Sequence, residues 1–320
     1  MNFPRGGRSR WRLLSYQRTV WAIGMLGLSA CVDASPSAPA PPPLADSADL
    51  TTATAAIDVA EVPQAIEHRT YELPTSVVQV VMVPPQREGA LAVVWSQDLA
   101  TLAQQAQAAE ASAAINAGFF DPQNGLTTSY VVVDGAIVAD PRNNPRLMEN
   151  PDLQPVLPAI LNRSEFRIYD CDDGARYDIT NHATPVPTDC TLDSAVGAGP
   201  QLLPEMTGYE EGFLADNSVG ETVRDALGSQ WPNARSAVGL KADGTVVLAI
   251  ATQLPETDSP TGFTLAQMAD FLAGLGVKTA LNLDGGSSTG LYFEGQVYWG
   301  KFNPEGEPVE RPVKSVLVVR

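Results

Sequence analysis

Histidine is almost missing from this chain. Among 320 residues there are two, His68 and His182, and only three cysteines, Cys31, Cys171 and Cys190. Both histidines precede any candidate serine nucleophile, so a serine triad in hydrolase order is excluded, and most histidine-based mechanisms fit poorly. Positive charge is also scarce, with 20 Lys and Arg against 37 Asp and Glu and a net charge of −17. Such a surface repels nucleic acid and anionic membranes, so no nucleic-acid partner is expected. Any anionic substrate must then be held by a few local cations. No internal apolar run is long enough to span a bilayer, and no P-loop or dinucleotide fingerprint is present. What the chain does have is a hydrophobic content of 44%, ample for a packed core.

The first residues have a composition of their own. Arg5, Arg8, Arg10, Arg12 and Arg18 stand without an acid, and Val20–Leu28 is a short apolar run ending in Leu28-Ser29-Ala30-Cys31. Residues 1–30 therefore read as a signal peptide. The last four resemble a bacterial lipobox, which implies cleavage before Cys31 and lipid on its sulfur. The expected address is the bacterial cell envelope, lipid-anchored and facing the periplasm or the surface. Val32 in place of an aspartate favours the outer membrane. Residues 31–60, rich in Ala, Pro and Ser, read as a flexible tether. Residues 61–320 are globular in composition, with no second linker, and read as one domain.

With Cys31 assigned to lipid, Cys171 and Cys190 remain as an even pair in an oxidising compartment, and a disulfide is expected. Closing that loop is worth roughly 3 kcal/mol in the chain-entropy account. The same cysteines with His182 match no zinc spacing. Asp170, Asp172, Asp173 and Asp178 lack the spacing of a calcium loop. No metal and no cofactor are expected.

Val77–Val83 and Leu91–Trp95 read as strands. Ser96 and Asp98 would open a helix running to about Ala109. Hairpins are expected at Tyr130–Ala139 around Asp134-Gly135, at Arg235–Ala251 around Asp243-Gly244, and at Leu291–Trp299. Asn143–Pro158 reads as a surface loop, Ala159–Arg163 and Glu165–Tyr169 as short strands, and Val313–Val319 as a last strand. Thr264 with Gln267 forms a capping box, and Leu265, Met268, Ala269, Leu272 and Leu275 share one helical face. Strands outnumber helices, so the expected class is α+β, a single domain of mixed β-sheets with several hairpins and flanking helices.

Two stretches share one design. Ser112–Asp121 and Thr279–Gly290 each run from a helix through a small-residue strand to a polar end and a glycine loop, and Ala114-Ile115-Asn116 matches Ala280-Leu281-Asn282 in kind. Glycine permits close backbone approach to a ligand, and the hydroxyls of Ser287 and Ser288 supply donors beside it. Gly286-Ser287-Ser288-Thr289-Gly290 fits G-x-S-x-G in form only, because no histidine follows it. What remains is carboxylate and amide chemistry with a guanidinium. Asp284 can serve as nucleophile, base or acid. Arg235 can grip a phosphate with two parallel hydrogen bonds.

Asn116-Ala117-Gly118-Phe119-Phe120, Asn162-Arg163, Gly197-Ala198-Gly199-Pro200, Arg235-Ser236-Ala237-Val238-Gly239 and Asn282–Ser288 occur in this order. The ordered set resembles the phosphodiester glycosidase family from about Val77 to the end of the sequence. The resemblance implies hydrolysis of a sugar 1-phosphodiester in envelope or extracellular glycans. It marks Asp284, Arg235 and Asn116 as catalytic, with Gly118, Asn162, Arg163, Gly199, Asn282, Gly285, Gly286, Ser287 and Ser288 lining the substrate pocket. In this reading Arg235 holds the phosphate, Asp284 serves the anomeric centre or a water, and Asn116 and Asn282 fix sugar hydroxyls. One departure stands out: Ala251-Thr252-Gln253 lies where members often carry Asp-Gly-Arg. That leaves open a lipoprotein that binds envelope glycans without cleaving them, or one that is purely structural.

Overall fold

The structure, a computed structural model, describes residues 65–85, 91–255, 257 and 260–320. The expected signal peptide, Cys31 and the tether lie outside the described residues. The chain divides into two units, 1–42 and 43–320, and everything described belongs to the second.

Strands dominate. A six-stranded sheet runs, in spatial order, through Glu67–Leu73, Ser76–Val83, Val246–Thr252, Arg235–Lys241, Val277–Asn282 and Gln201–Leu203. A five-stranded sheet is ordered Gln296–Trp299, Gly290–Phe293, Ala113–Asn116, Val313–Val319 and Leu91–Ala100. A second five-stranded sheet is ordered Ala136–Ala139, Val131–Val133, Cys190–Gly197, Ser164–Cys171 and Gly174–Asn181. A small ribbon pairs Leu214–Asp216 with Thr222–Asp225. Every one of these ladders is antiparallel. The expectation of mixed sheets is corrected accordingly: the strands are joined by hairpins and loops rather than by the helical crossovers a parallel pair requires. The fold is mainly β, with few helices.

The three large sheets share one core. Val81 and Leu248 of the first, Ile115 and Leu317 of the second, and Phe166 and Val196 of the third pack into a single apolar cluster. The outer face of the six-stranded sheet is covered by the Leu265–Gly274 helix, whose Leu265, Met268 and Leu272 are buried against Val80 and Ala249. That helix starts as expected: the Thr264 side chain accepts from the Gln267 N–H, and the Gln267 side chain accepts from the Thr264 N–H. A second helix, Leu102–Ala108, covers the other sheet through Leu102 and Ala106.

The hairpins turn where expected, with Asp134 and Gly135 both at positive φ, as a two-residue hairpin of this twist requires. Two local expectations fail. The helix near residue 100 begins after Thr101, not at Ser96 or Asp98, because the Leu91–Ala100 strand runs on alongside Val313–Val319. Thr101 and Gln104 form a capping box there. The 143–163 segment holds short helical turns, among them Pro145–Met148 and Leu157–Ile160, in place of loop and strand. Leu147, Leu157 and Ile160 form a satellite cluster of their own, which rewards helical spacing. Cys171 and Cys190 are register partners on adjacent strands and form the expected disulfide.

Candidate active site

The two stretches of like design end at the same place. Ala113–Asn116 and Val277–Asn282 lie in different sheets, yet the loops that leave them are tied together. The Asp284 N–H donates to the Ala117 carbonyl at 2.9 Å, and the Asn116 side-chain amide donates to the Asp284 carbonyl. Behind this junction Asn116 is wholly buried. Its Oδ1 accepts from Ser236 Oγ at 2.7 Å and from the Gly290 N–H at 3.1 Å. Asn116 therefore joins three segments, and no side-chain acceptor is left over for a sugar hydroxyl.

Arg235 is placed otherwise than expected. It is 3% exposed and donates to four main-chain carbonyls: Phe263 at 3.0 Å, Leu227 at 3.0 Å, Gly228 at 2.7 Å and Trp231 at 2.9 Å. Burial draws its pKa down to about 10, against a small opposing pull from Asp225, so it is charged at neutral pH. A guanidinium so fully engaged clamps the 227–231 loop to the strand rather than gripping a phosphate. It does adjoin the site, because a side chain at Gly285 would reach within 3.9 Å of Arg235 Cα and Cδ.

Asn282 lies 2% exposed one step below, donating to the Gly199 carbonyl at 2.8 Å. The Gly199 N–H returns a bond to the Asn282 carbonyl at 2.9 Å. Gly199 has φ +110°, and a Cβ there would fall 2.2 Å from Glu211 Oε2. Glu211 needs that space: its buried carboxylate accepts from Ser164 N–H and Oγ, from the Gln201 N–H and from Thr207 Oγ1. Gly118 is less tightly confined, a Cβ there standing 3.0 Å from the Gly197 carbonyl, and its N–H donates to Ser315 Oγ. These residues shape the floor.

Asp284 is the open member of the group. Its side chain is half-buried, and withdrawal from water raises its pKa to about 6. The Ser288 hydroxyl, the positive charge of Arg311 and the Gly285 N–H act in the opposite direction and favour the charged form. Arg311 is the residue the sequence reading missed. Its guanidinium donates to Ser287 Oγ at 2.8 Å and rests 5.1 Å from the centre of the Phe120 ring. No carboxylate lies within ion-pair distance of it among the described residues. Gly286, with φ +61°, turns the loop so that Ser287 and Ser288 follow beside the carboxyl.

Arg163 and Asn162 fall elsewhere. Arg163 stacks over Phe213 at 3.6 Å and donates to the Glu211 carbonyl, with burial lowering its pKa to about 9. Phe213 in turn lies 5.8 Å from Phe119, so Arg163 connects to the Gly118 loop through two rings. Asn162 is exposed and bound to the Ala183 N–H. Neither is brought up to Asp284. Arg311 had no motif to announce it, standing as an isolated cation in a Pro- and Glu-rich run before the last strand.

A search among curated proteins finds no match. Solved structures resemble the fold, three of them as follows. The zebrafish N-acetylglucosamine-1-phosphodiester α-N-acetylglucosaminidase catalytic domain, auto-inhibited by its pro-peptide, is 19% identical with a TM-score of 0.58, over 82% of this chain and 84% of that one. A hypothetical protein from Synechocystis is 18% identical with a TM-score of 0.51, over 79% and 61%. A protein described as exported, from Burkholderia pseudomallei, is 16% identical with a TM-score of 0.51, over 76% and 74%. Residues 109–320, which hold both glycine loops and every residue of the site above, match the phosphodiester glycosidase model, and the chain belongs to that family.

Proposed function

We propose that this protein hydrolyses a sugar 1-phosphodiester, with Asp284 as the proton acceptor and Arg311 as the cation that receives the phosphate. This rests on a partly buried carboxyl at the head of the Gly285–Ser288 loop and an arginine that donates to Ser287 of that loop and has no ion-pair partner among the described residues. In a chain of net charge −17, a cation with no ion-pair partner among the described residues is available to an anionic substrate.

The proposed step balances simply. A water attacks the anomeric carbon and gives its proton to the Asp284 carboxylate. The bond from that carbon to the phosphate oxygen breaks, and its electron pair leaves on the phosphate. A phosphate monoester is a weakly basic leaving group, so it needs charge neutralisation more than a strong acid. Arg311 supplies that charge. Asp284 then returns its proton to solvent. Asn116 acts as a positioning residue that holds the two loops in contact, while Arg235, Asn282 and Gly199 brace the segments around them. The Cys31 reading extends the proposal to a lipid-anchored envelope protein, which Cys31→Ser would release from the membrane fraction.

The test is release of reducing sugar from methyl phosphodiesters of hexose 1-phosphates and their N-acetylamino forms. Wild-type protein should release sugar, with kcat/KM rising as pH passes up through about 6. Asp284→Asn should lose about 100- to 10,000-fold in rate, the usual range for a positioned base, while keeping its fold. Wild-type turnover in Asp284→Asn, or retention of the diester without release by the wild type, would remove the proposal.

A further inference from the structure

A recess lies beside this loop and has no part in the step above. It is a cleft of about 320 Å³, at the small end of the range for ligand sites. Tyr298, Trp299 and Phe302 contribute its aromatic lining, and Gln79, Thr252 and Gln253 its polar lining. Among the described residues, none in the lining is charged.

Its polar groups are held but not satisfied. Gln79 is 6% exposed. Its Oε1 accepts from Thr70 Oγ1 at 2.7 Å and is bonded to His68 Nε2 at 2.8 Å. With its acceptor fixed by these neighbours, its amide donors have no partner among the described residues. The Thr252 hydroxyl and the Gln253 amide are likewise without side-chain partners there. His68 also stacks on Phe293 at 5.2 Å and packs on Tyr298 at 4.7 Å. One side chain thus orients both an amide of the floor and a ring of the wall. None of these donors is sealed from solvent, so water or a ligand in the cleft completes them.

The cleft and the loop share backbone. The Gln253 N–H donates to the Gly300 carbonyl at 2.7 Å, and the Gly300 N–H donates to the Thr289 carbonyl at 3.0 Å. Gly300 packs so closely on Thr289 that a Cβ there would stand 2.2 Å from Thr289 Cγ2.

We infer that this cleft binds a neutral sugar ring, a glycosyl unit of the glycan adjoining the scissile linkage. Aromatic faces with amide and hydroxyl donors suit a pyranose, which is apolar across its C–H face and polar around its edge. No cation stands among the described lining residues, and Arg311 remains the group that receives the phosphate. The placement rests on the glycosyl phosphodiester reading; the test does not, because it reads binding alone.

Full-length protein would be titrated with neutral disaccharides (N,N′-diacetylchitobiose, cellobiose and maltose) by saturation-transfer NMR and calorimetry. At least one should bind saturably at millimolar concentration, and Asp284→Asn should bind it equally. Gln253→Ala and the Gln253→Ala/Phe302→Ala pair, each checked for an unchanged melting temperature, should weaken it about threefold and about tenfold or more, the loss of one and two contacts. Should the pair fail to fold, the single variant still decides the matter. No saturable binding by wild type, equal affinity in the folded cleft variants, or preference for dodecanoate over every sugar would overturn the inference. A chain that binds sugar through this cleft yet releases none from any phosphodiester would keep the subsite and lose only the hydrolytic reading.

Discussion

Two arginines bear on the same glycine loop and do different work. Arg235, buried against Gly285, has its donors engaged by four carbonyls. Arg311, half-buried, gives one hydrogen bond to Ser287 and rests on Phe120. The first belongs to a recognisable run, Arg235-Ser236-Ala237-Val238-Gly239, and the second to no run at all. The difference teaches that a motif can mark the scaffold of a site, while the group left free for a ligand lies outside it.

The contrast breaks most visibly through stability. Arg235→Ala removes the donors of one buried carbonyl, Phe263, and of three carbonyls on the partly exposed 227–231 loop, so about 2–3 kcal/mol should be lost, read as a lower urea midpoint. Arg235→Lys should recover little, since a single ammonium cannot reach carbonyls spread over residues 227–263. Equal stability in Arg235→Ala would mean that the loop does not depend on the clamp. Gly199→Ala comes next. The forced φ of +110° and the clash with Glu211 should cost about 2–3 kcal/mol, again read by denaturant midpoint with the disulfide intact.

Arg311→Ala sharpens the other half. Its stability should stay within about 0.5 kcal/mol of wild type, as for most surface changes. Turnover of a sugar 1-phosphodiester should fall about 10- to 100-fold, with KM carrying much of it. Arg311→Lys should restore part of the loss, because a point charge still neutralises phosphate. If Arg235→Ala instead kept its fold and lost turnover while Arg311→Ala kept full rate, the two assignments would be exchanged.

Much of the fold was legible because local rules and tertiary packing agreed. The Thr264–Gln267 capping box, the Asp134-Gly135 and Asp243-Gly244 turns and the apolar Val313–Val319 run all declared themselves. The 143–163 segment did not, because Pro and Asn suit loops and short helices alike, and only the packing of Leu147, Leu157 and Ile160 decided. Sheet direction was equally hidden, being a property of strand order. At the site, the meeting of Asn116 with Asp284 was foreshadowed by two stretches of one design. Which polar atoms stayed free was not foreshadowed, since that depends on carbonyls at 227, 228, 231 and 263. Arg311 reaches Ser287 across 24 residues of sequence, a contact that no local pattern encodes.

The smallest expected effect separates Asp284 from its supports by sign. Its pKa, about 6 in the folded chain, stands above the ordinary 3.8 because burial disfavours the charged form. Between those values the folded state binds more protons than the unfolded one, so stability falls as pH rises through this window and stays lower above it. The full linkage is about 1.4 kcal/mol per pKa unit, and water reaching the half-open side chain reduces it to about 1–2 kcal/mol overall. Asp284→Asn carries no such charge. Its stability relative to wild type should therefore be near zero at pH 4 and should turn favourable by pH 8, while Arg235→Ala is worse at both. A difference that stays flat with pH would mean an ordinary carboxylate at Asp284, and its role as a base poised near neutrality would then fail.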